Sequence, residues 1–200
     1  SGQIVTALDT ARRLGRMSLN PLVHLDPVGT VLLPLLGVPF GWAKPVPVNP
    51  YHLKHPKRDM ALVALAGPAS NLVLAIVLYV VLSFVTIGTG GGPLDMVGTD
   101  VSVVHMLVIR LMQTCLYLNL ILMAFNLLPI APLDGSNILR QFIPYRLEDS
   151  YNNLMQYGQF ILIGLIIVEQ VLHIPILSVW VYGIMDGVLN LFEAVRGLIA

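Results

Sequence analysis

The feature that most constrains this 200-residue chain is an apolar run from Met60 to Ile87 that contains no charged side chain. About 20 predominantly apolar residues suffice for a helix to cross the hydrocarbon core of a bilayer, and this run is longer. The whole sequence agrees, because 56% of its residues are hydrophobic, 11% are charged, and the mean hydropathy is +0.80. We therefore expect an all-α integral membrane protein.

Three further stretches are candidates for crossing the membrane. Val103 to Pro129 is long enough to return across it, and Tyr157 to about Leu177 predicts a third span. The last stretch, Val179 to Ile199, is apolar at first and more polar later, so it either spans the bilayer or lies along its interface. The sequence therefore predicts three to four transmembrane helices.

The region before the first span has a different character. Residues 1–18 have helical spacing of apolar side chains and a basic end, which predicts the tail of a truncated N-terminal helix. Seven prolines between Leu19 and Pro50 separate apolar stretches that are too short to span. We expect residues 19–59 to form a re-entrant or interfacial proline-rich segment, and residues 60–200 to form the transmembrane core.

Charge predicts the orientation of the bundle. Basic residues flank the start of the first span and the end of the second, whereas the loop 88–100 has none. The positive-inside rule therefore places the basic side, together with Asp134, in the cytoplasm. Because 11 basic and 11 acidic side chains cancel, no basic surface would attract a nucleic acid. The single Cys115 excludes a disulfide framework.

The most informative string is NLLPIAPLDG, from Asn126 to Gly135, at the end of the second predicted span. Its two prolines break the helix, and Gly135 permits a turn directly after the carboxylate of Asp134. An acid at the membrane edge is either a cation ligand, because burying it unpaired is costly, or a solvated cap of the next helix. The residues alone leave both interpretations open.

This string resembles the asparagine, proline and aspartate motif of the site-2 proteases, a family of intramembrane zinc metalloproteases. Four other segments resemble the compact bacterial branch of that family in order and spacing: residues 15–21, 24–29, 41–49 and 66–71. The resemblance implies cleavage of peptide bonds in or beside transmembrane helices of substrate proteins. It also implies that Asp134 is a zinc ligand, that Asn126 and Asn71 are supporting groups of the catalytic site, and that the protein lies in a bacterial inner membrane.

A catalytic zinc takes three protein ligands, and the family uses an HExxH helix whose two histidines bind the metal while the glutamate acts on water. The histidines of this chain stand at positions 24, 52, 55, 105 and 173, and no pair is four apart with a glutamate after the first. We therefore expect zinc in the complete enzyme and no catalytic activity from these residues alone. The favoured interpretation is that the natural protein continues upstream, and the other is that the catalytic helix was lost.

Other polar residues have simpler interpretations. His24 fits a structural hydrogen bond, and His52 with His55 fits an interfacial loop. Glu169 and His173 are four residues apart, which favours a pair on one helical face. A rival function is a non-catalytic membrane scaffold that binds transmembrane helices, and a small transporter is a weaker third possibility. Membrane-protein substrates and the lipid bilayer are the expected partners, and the oligomeric state is not predicted.

Overall fold

A computed structural model describes residues 56–86, 92–95 and 102–199 of the chain. The regular elements of these residues are six helices: α1 Pro56–Val85, α2 Val103–Asn126, α3 Asp134–Arg140, α4 Tyr145–Gln156, α5 Gly158–Leu172 and α6 Ile176–Ile199. The chain separates into two compact units, Ser1–Asp59 and Met60–Ala200, and α1 begins just before the second. The predicted helix tail 1–18, most of the predicted segment 19–59, and the histidines at 24, 52 and 55 lie outside the described residues.

Three of the described helices are long and apolar enough to cross a membrane: α1, α2 and α6. The all-α membrane fold with three to four spans is thus confirmed. Helix α1 matches the predicted first span, and α2 begins at the predicted Val103 but ends at Asn126, three residues before the first proline of the motif. The final stretch, which the sequence left open, is the 24-residue helix α6.

The predicted third span differs from the structure. Tyr157 to Leu177 does not form one long helix; instead α4 and the 15-residue α5 meet at an angle of 58° around Tyr157. Only together do these two helices have the length and hydropathy of a span. The reason is a contact between residues distant in the sequence, because Gly158 packs directly on the backbone of Ala131 and fixes the start of α5 there.

The core of the second unit lies where α1, α2 and α6 pack together. Helix α1 buries one face whose residues recur at helical spacing: Ala61, Ala64, Pro68, Ala75, Tyr79 and Leu82. Small residues occupy its first half and larger ones its second half. Small side chains leave space beside the half of α1 that contains Gly67. Helix α2 contributes Ile109, Leu116, Leu120 and Met123, and α6 contributes Met185.

Candidate metal centre

The α2 helix ends in an altered hydrogen-bond pattern. The N–H of Leu128 donates to the carbonyl of Phe125 at 3.0 Å, three residues back, so the Ala124 carbonyl lacks its usual helical donor. The indole Nε1 of Trp180 on α6 donates to that carbonyl at 3.0 Å. A buried carbonyl at a helix break is thereby satisfied by a side chain from another helix.

A tight turn follows the break and brings α3 back against the end of α2. Gly135 is the second residue of α3, and a Cβ built on it would lie 2.3 Å from the carbonyl oxygens of both Leu127 and Leu128. Any other residue would clash with this backbone. Ala131 precedes Pro132 through a cis peptide bond. The close approach fixes the position of Asp134, the first residue of α3.

The carboxylate of Asp134 lies against helix α1. A Cβ built on Gly67 would be only 2.8 Å from Oδ2 of Asp134. The glycine therefore leaves the space that the carboxylate occupies, in a position where an alanine would collide with it. Two segments that the sequence singled out separately, residues 66–71 and 126–135, are thus adjacent at Gly67 and Asp134.

Asp134 is half-buried, and its surroundings do little to stabilise its charge. Among residues 56–86, 92–95 and 102–199, no hydrogen bond or ion pair reaches its carboxylate oxygens. Desolvation by burial raises the pKa of the Asp134 carboxyl above its ordinary value. A cation placed beside the carboxylate would reverse that effect, because it favours the charged form. The predicted role of Asp134 as a metal ligand stays a prediction.

The two predicted supporting asparagines occupy different positions. Asn71 lies one helical turn beyond Gly67 on the same side of α1 and is half-buried. Asn126 is the last residue of α2 and is also half-buried. In the part of the chain that the structure describes, no hydrogen bond joins either amide to Asp134. The predicted roles of Asn71 and Asn126 in the site stay predictions.

The described residues fit one ligand of a catalytic zinc. They contain no group of three His, Cys, Asp or Glu side chains that would hold a metal ion. Of their two histidines, His105 is in the first turn of α2, the end opposite Asn126, and His173 follows α5. Neither is joined to Asp134. The donor set that Asp134 would complete is therefore not found within these ranges.

Sequence reasoning missed two residues near this end of the bundle. Trp180 carried a usable signal, since a tryptophan N–H within a helix bundle normally finds an acceptor. Glu169 was interpreted wrongly as the partner of His173. Its carboxylate instead accepts hydrogen bonds from the N–H groups of Leu177, at 2.8 Å, and Ser178, at 3.1 Å, and from the Ser178 hydroxyl. His173 adopts a left-handed conformation (φ 54°) that ends α5, so the two residues do not share a helical face.

A second polar cluster occupies the other half of the bundle. The hydroxyl of Tyr79 donates to Oε1 of Glu193 at 2.7 Å, and Arg196 pairs with Oε2 of Glu193 at 2.6 Å. Nearby, the side-chain amide of Gln113 donates to the carbonyls of Pro93, at 3.0 Å, and Asp95, at 3.1 Å. Each carboxylate oxygen of Glu193 has a donor, so this cluster is a closed structural network.

These features define a class of protein: a helical membrane protein with a desolvated aspartate held beside a glycine of a spanning helix. A profile of Peptidase family M50 matches residues 30–167. The chain is 35% identical to the Bacillus subtilis protein named "Putative zinc metalloprotease YwhC" over 189 residues, which cover 94% of this chain and 80% of that protein. It is 33% identical over 90 residues to the zinc metalloprotease MJ0392 of Methanocaldococcus jannaschii, covering 45% of this chain and 22% of that protein.

The chain belongs to Peptidase family M50, the site-2 protease family, which confirms the resemblance found in the sequence. No solved structure matches it. The matched region includes both Gly67 and Asp134, so the contact between them lies within the part of the chain that defines the family.

Proposed function

We propose that this chain forms part of an intramembrane zinc endopeptidase that cleaves transmembrane segments of other proteins, with Asp134 as one metal ligand. The observation that carries the proposal is the position of the Asp134 carboxylate: desolvated, without a protein partner among the described residues, and 2.8 Å from where a Cβ of Gly67 would be. Membership of a metalloprotease family supports a metal ion as the partner of that carboxylate.

The residues of this chain would act on the metal and the substrate in different ways. When bound, zinc supplies Lewis-acid polarisation of a peptide carbonyl and activation of water. Asp134 would hold the ion through its carboxylate, and Gly135 would keep Asp134 in position by its contact with the end of α2. Asn126 would donate its amide hydrogens to the substrate backbone or to the oxyanion that forms on it. Asn71 would help shape the site from α1.

Residues 1–200 contain no HExxH, so we propose that they do not catalyse proteolysis alone. The two histidines and the glutamate would come from residues that are not in this sequence. The enzyme would act in a bacterial inner membrane with Asp134 on the cytoplasmic side, as the distribution of lysine and arginine favours. Its partners would be transmembrane protein substrates and the surrounding lipid.

The test is cleavage of a labelled transmembrane peptide in detergent by a form of the protein that carries an HExxH helix ahead of Ser1. We expect cleavage that a zinc chelator stops and added zinc restores, and no cleavage by the Asp134→Asn variant. Asp149→Asn is a matched control, because Asp149 is an exposed aspartate on the polar helix α4. Full activity of Asp134→Asn would refute the assignment of the ligand.

A non-catalytic scaffold that binds transmembrane helices is the alternative. The absence of a three-ligand group from the described residues favours it, since binding a helix requires no metal. The two functions separate in one assay, because a scaffold would crosslink to the peptide with equal yield with and without zinc and leave the peptide intact in every form of the protein.

A further inference from the structure

The direction of α6 follows from contacts near its two ends. Near its start, Trp180 donates to the carbonyl of Ala124, close to the end of α2. Near its end, Glu193 accepts from Tyr79 at 2.7 Å, and Nη1 of Arg196 would lie 2.9 Å from a Cβ built on Gly92, in the loop between α1 and α2. Helix α6 therefore runs antiparallel to α2, and it starts at the end of the bundle where Asp134 lies.

Both ends of α5 lie at that same end of the bundle. A Cβ built on Gly158, its first residue, would be 2.5 Å from the carbonyl oxygen of Ala131, in the loop that leads to Asp134. Three residues before α5 ends, Glu169 accepts hydrogen bonds from the first turn of α6. The chain thus begins α5 at the Asp134 end of the bundle, at Gly158, and has returned to that end at Leu177.

The length of α5 agrees with this path. Its 15 residues measure about 22 Å, which is less than the roughly 30 Å of a hydrocarbon core. Its one charged side chain, Glu169, is used to cap α6, and Gly158 is its only buried residue. The helix exposes large apolar side chains along its length: Phe160, Ile163, Ile167, Val171 and Leu172.

We propose that α4 and α5 form a membrane element that enters and leaves the bilayer on the Asp134 side, so that the described chain crosses only through α1, α2 and α6. Lipid of the leaflet on that side covers the apolar surface of α5. Gly67 and Asn126 belong to the spanning helices α1 and α2, so the bilayer extends to both residues. Helix α5 begins beside the loop that follows Asn126. The proposal does not depend on catalysis. Its consequence is that the end of α6 lies on the membrane side opposite Asp134.

Substituted cysteines in a Cys115→Ser background test this path. Membrane vesicles of both orientations from the expressing cells are treated with a maleimide that cannot cross membranes. Arg146→Cys on α4 marks the Asp134 side, and Val103→Cys at the start of α2 marks the other side; both positions are exposed. Ile174→Cys probes the turn between α5 and α6, and Leu198→Cys, at a position that is 87% exposed, probes the end of α6.

We expect Ile174→Cys to be labelled from the same side as Arg146→Cys, and Leu198→Cys from the same side as Val103→Cys. The opposite result at Leu198 would give the described residues a fourth crossing and overturn the proposal, even if Ile174→Cys were not labelled. Ile167→Cys on the exposed face of α5 tests what covers that face. Protection of Ile167→Cys in vesicles and labelling after denaturation support lipid, whereas a disulfide-linked dimer would assign the face to a second copy of the chain.

Discussion

The two acidic sites of the bundle, Asp134 at one end and Glu193 towards the other, are built in opposite ways. Glu193 has a donor on each carboxylate oxygen, from Tyr79 and Arg196. Asp134 lies against Gly67, and none of the described residues donates a hydrogen bond to its carboxylate. The described residues supply partners for the carboxylate of Glu193 and none for that of Asp134, for which we propose a metal ion as the partner.

On the proposed function, the difference separates a structural acid from a functional one. Partial burial of an ionised group without a partner lowers stability, which makes a functional use of the Asp134 charge the hypothesis to test. The hydrogen bond from Tyr79 to Glu193 joins α1 to α6, and this bond does not require a metal. If this division is correct, substitutions at Asp134 and its neighbours should change activity much more than stability, and substitutions in the Glu193 cluster should do the reverse.

The largest expected effect is on Asp134 itself. In a form of the protein that carries HExxH, Asp134→Asn should reduce the rate of substrate cleavage by more than the roughly 10–100-fold typical of losing a group that only orients a metal ligand. The thermal unfolding temperature of the metal-free protein should not fall, because a desolvated charge is removed. The Asp149→Asn control, on the polar helix α4, should keep both its activity and its unfolding temperature.

Gly67→Ala should have the second largest effect. The added Cβ would stand 2.8 Å from Oδ2 of Asp134 and displace the carboxylate. Displacements of about 1 Å in a catalytic site cost on the order of 100-fold in rate, so we expect a loss of about 10–100-fold in kcat/KM for the labelled peptide. Gly183→Ala is the matched control, since nothing lies within 4 Å of a Cβ at that position. Equal activity of the two variants would mean that the contact between Gly67 and Asp134 has no part in catalysis.

The Glu193 cluster should show the opposite pattern. Tyr79→Phe removes the donor to Oε1 of Glu193, and hydrogen bonds to charged groups contribute about 1.5–3 kcal/mol. We expect a loss of that size in the free energy of unfolding in detergent, with kcat/KM of the folded fraction unchanged. A large loss of activity without loss of stability would show that this cluster is functional and would break the comparison.

Trp180→Phe should have the smallest effect. It leaves the Ala124 carbonyl without its indole donor, and hydrogen bonds between membrane helices average about 0.6 kcal/mol, with a maximum of about 1.7. Denaturant unfolding of Trp180→Phe beside Tyr182→Phe, an exposed aromatic position on the same helix, measures that difference. If the two variants unfold identically, the indole does not stabilise the break at the end of α2.

The sequence was most informative where a pattern is local. The run from Met60 to Ile87 needed only hydropathy to predict α1, and the string around Asp134 needed only two prolines and a glycine to predict a broken helix end. The path of α5 was not predicted, because Gly158 packing on Ala131 depends on residues 27 positions apart. The role of Glu169 was missed for a related reason: its partners lie in the next helix, beyond the turn at His173.

The most direct test of the contrast between the two acids is zinc affinity, measured by competition with a chelator on a form of the protein that carries HExxH. Asp134→Asn and Glu193→Gln are compared with the unsubstituted protein. We expect Asp134→Asn to weaken zinc binding by about 100-fold or more and Glu193→Gln to leave it unchanged. Unchanged affinity in Asp134→Asn would contradict the assignment of Asp134 as a metal ligand, and with it the division of the bundle into a functional and a structural end.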